Sequence, residues 1–190
     1  METKPLPDLN YLKECFCLDT TLPCGLRWNL DRPLSHFKNE SARKRWSKNY
    51  GGKPCGCIRY KGHLNKYYAV EVNGKNLFNH RIIYAIYNNS TDFNGKKIDH
   101  IDGNSQNNNP QNLRLATASQ NRLNSRIPKN NKTGYKNIYF NKNHQKYECT
   151  IETNGKANHI GNFKTLEEAL HARNSYIEKA KTEIGDYFRI

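Results

Sequence analysis

The chain has 190 residues, 35% of them hydrophobic, and its 31 Lys+Arg against 17 Asp+Glu give a formal net charge of +14. That length fits one compact domain or two small ones, and the low apolar content argues against a single large core. The basic excess makes a polyanion the default partner, while the absence of an apolar leader at Met1–Pro5 or of any membrane-length apolar run gives no support to secretion, membrane insertion or a small-molecule substrate.

In a reducing cytoplasm the six cysteines are expected as thiols. Cys15-Phe16-Cys17, Cys24 and Cys55-Gly56-Cys57 admit a zinc site on paper. Their C-x-C spacing is tighter than that of a zinc knuckle, and small buried residues are the simpler reading.

Residues 1–60 read as an irregular basic region anchored by Trp28, Phe37 and Trp46. In it, Ser41-Ala42-Arg43-Lys44-Arg45-Trp46 is either a phosphate contact or a solvated helix face. Residues 61–127 form a second segment. Tyr67 to Val72 reads as a strand, Asn73-Gly74 as a hairpin turn and Lys75 to Phe78 as the return. His80 to Tyr87 has helical apolar spacing, with Ile82, Ile83 and Ile86 on the buried face. A second strand, Lys97 to Asp102, leads into an Asn-rich loop over 103–111, and Leu113 to Ala116 returns beside it. Thr117-Ala118-Ser119-Gln120 has capping-box form and starts a helix expected to reach about Arg126.

Residues 128–133 are polar, carry Pro128 and read as a linker. Residues 134–190 then give three strands, at Tyr135 to Phe140, Tyr147 to Thr153 and His159 to Phe163, with Asn154-Gly155 turning the last two. Thr165 to Glu168 is a second capping box, and Leu166, Ala169, Leu170, Arg173, Tyr176, Ile177 and Ala180 line one helix face. The expected fold class is α+β, a ββα-metal core followed by a small three-stranded antiparallel sheet with one packed helix.

The chemistry concentrates at Ile98-Asp99-His100-Ile101-Asp102-Gly103-Asn104, with Asn108, Asn112 and Asn121 after it. Asparagine is abundant throughout, so spacing and not number carries the argument. Hydrolysis of a phosphodiester needs a base for water and positive charge against the phosphate. His100 is the candidate base, since an unperturbed imidazole titrates near the working pH. Asp99 offers the hard anionic oxygen that Mg2+ or Mn2+ prefers, and Asn121, early in its helix, a neutral second ligand. Asn112 is placed to bond the His100 ring or its backbone. Strand neighbours point to opposite faces, so Asp99 and His100 share a site only at a strand end or irregularity, and Asp102 stays open as the alternative carboxylate.

These residues resemble the HNH homing-type endonucleases with a ββα-metal site, a family often carried by phages and mobile introns. The likeness lies in Asp99-His100-Ile101-Asp102-Gly103-Asn104, Asn108, Asn112-Leu113-Arg114, Thr117 and Asn121. It implies Asp99 and Asn121 as metal ligands, His100 as general base, Asn112 as its orienting residue and Asn108 as a loop-fixing residue. His80-Arg81, Gly25-Leu26-Arg27-Trp28 and Gly56 also resemble that family, with no catalytic role assigned to His80. The last segment is similar to the ethylene-response-factor-type DNA-binding domain, through Thr133-Gly134-Tyr135-Lys136, Ile151, Gly155-Lys156, Ile160-Gly161-Asn162-Phe163, Thr165, Glu168-Ala169 and Gly185, with Tyr147 in place of that family's usual Trp. It implies double-stranded DNA as partner. If that sheet enters a groove, the side chains opposite the buried Tyr147, Cys149 and Ile151 face DNA, which singles out Lys146 and Thr150, with Lys136, Tyr139, Asn141 and Lys156 nearby; a solvated sheet face is the other reading. A phage-encoded chain would act in the host cytoplasm. The oligomeric state has no signature in the sequence. An alternative is a sequence-specific DNA-binding protein whose nuclease core is inactive.

Overall fold

A computed structural model describes residues 5–61 and 65–188. The fold is α+β and divides into two compact units, residues 1–115 and 116–190.

The first unit starts with α1 (Leu9–Cys15), whose N-terminal amides at Asn10 and Tyr11 are accepted by the Asp8 carboxylate. Then come β1 (Phe16–Leu18), β2 (Leu26–Trp28), α2 (Glu40–Tyr50, capped by Asn39) and β3 (Cys57–Lys61). The region expected to be irregular is therefore largely structured. Its strands β1 and β2 are three residues each, too short to show a period in sequence. They pair antiparallel, Phe16 opposite Trp28, and those two rings stack at 4.9 Å.

Strands β4 (Asn65–Val72) and β5 (Lys75–Phe78) complete an antiparallel sheet in the order β3-β4-β5. Asn73 and Gly74 both have positive φ, 49° and 70°, the conformation a two-residue primed turn requires. α3 (Asn79–Tyr87) buries Ile82, Ile83 and Ala85 in a core with Leu12, Phe16, Leu26 and Leu77. β6 (Lys97–His100) and β7 (Leu113–Ala116) form a separate two-stranded sheet.

The second unit begins with α4 (Ala118–Leu123), where the capping box between Thr117 and Gln120 is formed. The helix stops at Leu123, short of Arg126. β8 (Ile138–Asn141), β9 (Lys146–Thr153) and β10 (Lys156–Phe163) make an antiparallel sheet in the order β10-β9-β8. α5 (Leu166–Ile184) packs on it and is opened by the Thr165/Glu168 capping box. The core holds Ile138, Cys149, Ile151, Ala169 and Ile177, joined by Leu123 of α4. No helix among the described residues is long and apolar enough to cross a membrane.

Candidate active site

β6 ends on the two residues that carry the chemistry. Asp99 and His100 are both 6% exposed. The next amide, Ile101, donates to the Asn112 carbonyl at 2.9 Å and closes the strand pair.

Burial lowers the His100 pKa below 6.5, against the opposing pull of Asn108, Asp102 and Asp99. The ring is thus neutral at neutral pH, as a base must be. Its Nε2 lies 3.3 Å from Asn108 Oδ1. Asn108 is itself buried, and its Nδ2 donates to the Cys24 carbonyl at 3.4 Å. That bond turns the amide so that oxygen faces histidine. An acceptor there favours hydrogen on Nε2 and leaves the basic lone pair on Nδ1.

Asn108 can sit against Cys24 because residue 25 has no side chain. A Cβ on Gly25 would lie 2.6 Å from Ile83 Cδ1 and 3.1 Å from Asn108 Cβ, and its φ is +75°. Gly25→Ala is therefore expected to lower Tm and displace Asn108. Thermal unfolding reads the first, and the His100 imidazole chemical shifts read the second. An unchanged melting curve would contradict this account.

The Asn112 side chain does not reach the imidazole. Its Oδ1 accepts from the Asp102 amide at 3.1 Å, and its Nδ2 donates to Asp102 Oδ1 and to the Asn107 carbonyl. Asp102 also accepts from the Asn104 amide and from Asn107 Nδ2. Burial raises the Asp102 carboxyl, but the bonds from Asn107, Asn104 and Asn112 and the nearby His100 together hold it below its ordinary value. The loop is thus tied by amides around one exposed carboxylate. The ring contact expected of Asn112 is made by Asn108, because Asn112 is drawn onto the turn that follows His100.

Sequence reasoning gave no role to three groups here. Arg114, on the neighbouring strand, donates through Nε to Asp99 Oδ2 at 3.0 Å. Facing strand positions could have suggested that pair. His80 is buried with its ring edge-on to His100 at 5.1 Å. Tyr67 lies 5.3 Å from the His80 ring and 6.2 Å from that of His100. Burial, and then the Asp99 charge, raise the Tyr67 pKa.

Asn121 is exposed on α4 and belongs to the second unit. Among the described residues no three His, Cys, Asp or Glu side chains are grouped to hold a metal ion. Of the paired cysteines, Cys15, Cys24 and Cys55 are buried and Cys17 and Cys57 exposed.

In the second unit Tyr139 pairs with Glu148, Asn141 with Lys146 and Thr150 with His159. Alternation puts these residues on the sheet face opposite the buried Cys149 and Ile151. Tyr139, Asn141, Lys146 and Thr150 thus share one face, together with Glu148, which accepts from Asn141 Nδ2 at 2.6 Å. Lys156 sits at the hairpin end opposite Thr153. Lys136 departs from the expected DNA-facing set. It is 8% exposed, and its Nζ donates to the carbonyls of Arg122, Leu123 and Ser125 at the end of α4. Carbonyls at a helix end lack the i+4 amide of the helix interior and draw an ammonium, although that of Arg122 also accepts from the Ser125 amide and hydroxyl.

Comparison with known proteins bears on the segment from the end of β5 to the end of α4. The family model described as HNH endonuclease matches residues 78–123. A protein of Acanthamoeba polyphaga mimivirus described as an uncharacterized HNH endonuclease is 34% identical over 122 residues, 64% of this chain and 63% of that protein. Protein 3.8 of Escherichia phage T7 is 37% identical over 73 residues, 38% of this chain and 60% of its own. The chain thus spans less than two thirds of the length of either relative. No solved structure matches it. Residues 78–123 carry an HNH endonuclease domain.

Proposed function

We propose that the protein is a metal-dependent DNA endonuclease of the homing type, which hydrolyses phosphodiester bonds in double-stranded DNA with His100 as general base. The observation that carries this reading is the buried, neutral His100, held by Asn108 beside the buried carboxylate of Asp99. His100 takes the proton of the attacking water through Nδ1, while Asn108 holds the ring. Asn112 and Asp102 fix the turn behind it, so the base is positioned by the loop and not by a contact from Asn112.

Asp99 and Asn121 would hold the cation. A single carboxylate, one of whose oxygens is taken by Arg114, with neutral amide oxygen elsewhere, suits Mg2+ or Mn2+, which keep water and phosphate oxygens as ligands. Such an ion, when bound, supplies positive charge to the phosphate and the leaving oxygen. By family likeness the products carry a 5′-phosphate and a 3′-hydroxyl. The sheet of the second unit, by its likeness to ethylene-response-factor-type domains, is proposed to contact DNA through Tyr139, Asn141, Lys146 and Thr150, with Lys156 at its hairpin end.

The test is plasmid cleavage. Relaxed or linear product is expected with Mg2+ or Mn2+ and none with EDTA. Salt-dependent duplex binding with no cleavage under any divalent ion would instead mark the nuclease core as inactive.

A further inference from the structure

Outside residues 78–123, the first unit holds a cavity of about 360 Å3. Its walls include Trp28, Trp46, Tyr50, Arg32, Glu71 and Asn73. Trp46 and Tyr50 come from α2, and their rings lie 6.2 Å apart. Tyr50 is 53% exposed.

Arg32 is the unusual member. It is 9% exposed, with its guanidinium 4.6 Å from the Trp46 ring, 5.1 Å from Phe37 and 5.4 Å from Trp28. A buried guanidinium is normally matched by a carboxylate or by several acceptors. Here Nε and Nη2 share one nitrogen acceptor, His36 Nδ1, at 3.4 Å, and the other protein partner within reach is the Cys15 thiol, a weak acceptor, so no carboxylate meets the guanidinium. The closest acid in this network, Glu14, is engaged by the far side of the same imidazole. Across the cavity, Glu71 has no hydrogen-bond or ion-pair partner among the described residues. Asn73 is fixed by the Tyr11 hydroxyl, which donates to its Oδ1 at 2.9 Å.

The cavity therefore offers aromatic walls, a buried guanidinium met only by weak acceptors and an exposed carboxylate with no protein partner among the described residues. A planar ligand with acceptors on one edge and two adjacent donors on another satisfies all three. Guanine is that ligand: O6 and N7 accept from an arginine, and N1–H and N2–H donate to a carboxylate. No other base pairs two adjacent donors with such an acceptor edge. An edge engaged in a base pair is hidden, so the guanine must be unpaired.

The same helix identifies the source as a strand. α2 carries Arg43, Lys44, Arg45 and Lys48, and Glu40 is its one acid. None of its residues is buried, and Arg43 lies one turn before Trp46 and two before Tyr50 on the cavity side. Cations beside a stacking platform are the chemistry that holds single-stranded nucleic acid. We propose that this cavity binds an unpaired guanine of a nucleic-acid strand, with the basic residues of α2 on its phosphates. This goes beyond the cleavage site and does not depend on it.

Trp28 and Trp46 are the two tryptophans of the chain, and both line the cavity, so tryptophan emission reports on it. The titration is made on full-length protein carrying His100→Ala, so that no strand is cut and failure of the nuclease reading leaves it intact. GMP is expected to quench emission saturably, at least about tenfold more tightly than AMP, CMP or UMP. Inorganic phosphate is expected to leave it unchanged. A thymidine oligonucleotide with one central guanine is expected to bind more tightly than GMP, with an advantage that falls with salt. Arg43→Gln with Lys44→Gln and Arg45→Gln should remove that advantage and spare GMP binding. Glu71→Gln, at an exposed residue, should erase the preference for guanine without lowering Tm. No saturable quenching, equal quenching by all four nucleotides, or quenching by phosphate alone overturns the proposal. GMP binding as tightly as the oligonucleotide overturns the strand as its source.

Discussion

Replacing His100 with alanine is expected to lower plasmid cleavage by about 10²–10⁴-fold, the usual contribution of a positioned general base. The same change should remove the acid limb of the wild-type pH profile. Burial lowers the His100 pKa, so in the parent the rate falls only as pH drops through a value below 6.5. Stability has the same sign. The unfolded chain binds this proton more readily, so the part of folding stability tied to His100 is complete above about pH 6.5 and is lost as pH falls through the lower folded value. His100→Ala should flatten that part of the Tm-versus-pH curve. A variant that cuts at the parent rate, or keeps the acid limb in its residual activity, would remove His100 from the mechanism.

Lys136→Met is expected to destabilise the second unit by roughly 2–3 kcal/mol, because carbonyls at the end of α4 lose a charged donor in a buried setting. Relief from burying an ammonium offsets part of the loss. For a unit of this size the change corresponds to a fall in Tm on the order of 10 °C. α4 is a single short helix, which would not persist in isolation. It relies on Lys136, on Leu123 in the core, and on the ion pair between Arg122 and Glu152. If Asn121 holds the cation as proposed, cleavage falls with it, since Asn121 lies on this helix. Hydrogen exchange should show faster amides in α4 with those of α3 unchanged. Loss of protection spread evenly over the chain, or none, would contradict the assignment.

Local chemistry was legible wherever it dictates conformation by itself. Asn73-Gly74 and Asn154-Gly155 are turns with positive φ at both positions, and Thr117 and Thr165 close the capping boxes their spacing suggested. Ile82 and Ile83 are buried as the helical period required. What the sequence hid depends on distant partners. α1, β1, β2, α2 and β3 are short pieces held by Phe16 on Trp28 and by the rings around Arg32, contacts no local pattern encodes. The roles of Asn108 and Asn112 were separable only once the loop between them closed, since each is an amide a few residues beyond His100. Lys136 was placed among the DNA-facing residues for its nearness to the sheet, and nothing in its neighbours announced the carbonyls of Arg122, Leu123 and Ser125 that receive it.

Leu123 sharing a core with Ile138, Ile151 and Ile177 bears on where the chain could be divided in a chimaera. A chimaera spliced at the polar stretch 128–133 would strand that leucine on the wrong side of the graft and ask a foreign module to accept it. The boundary between the two compact units lies earlier, between Leu115 and Ala116 at the end of β7. A second unit transplanted from there would arrive already bearing Asn121, so on the proposed reading DNA contact and one metal ligand would be inherited together.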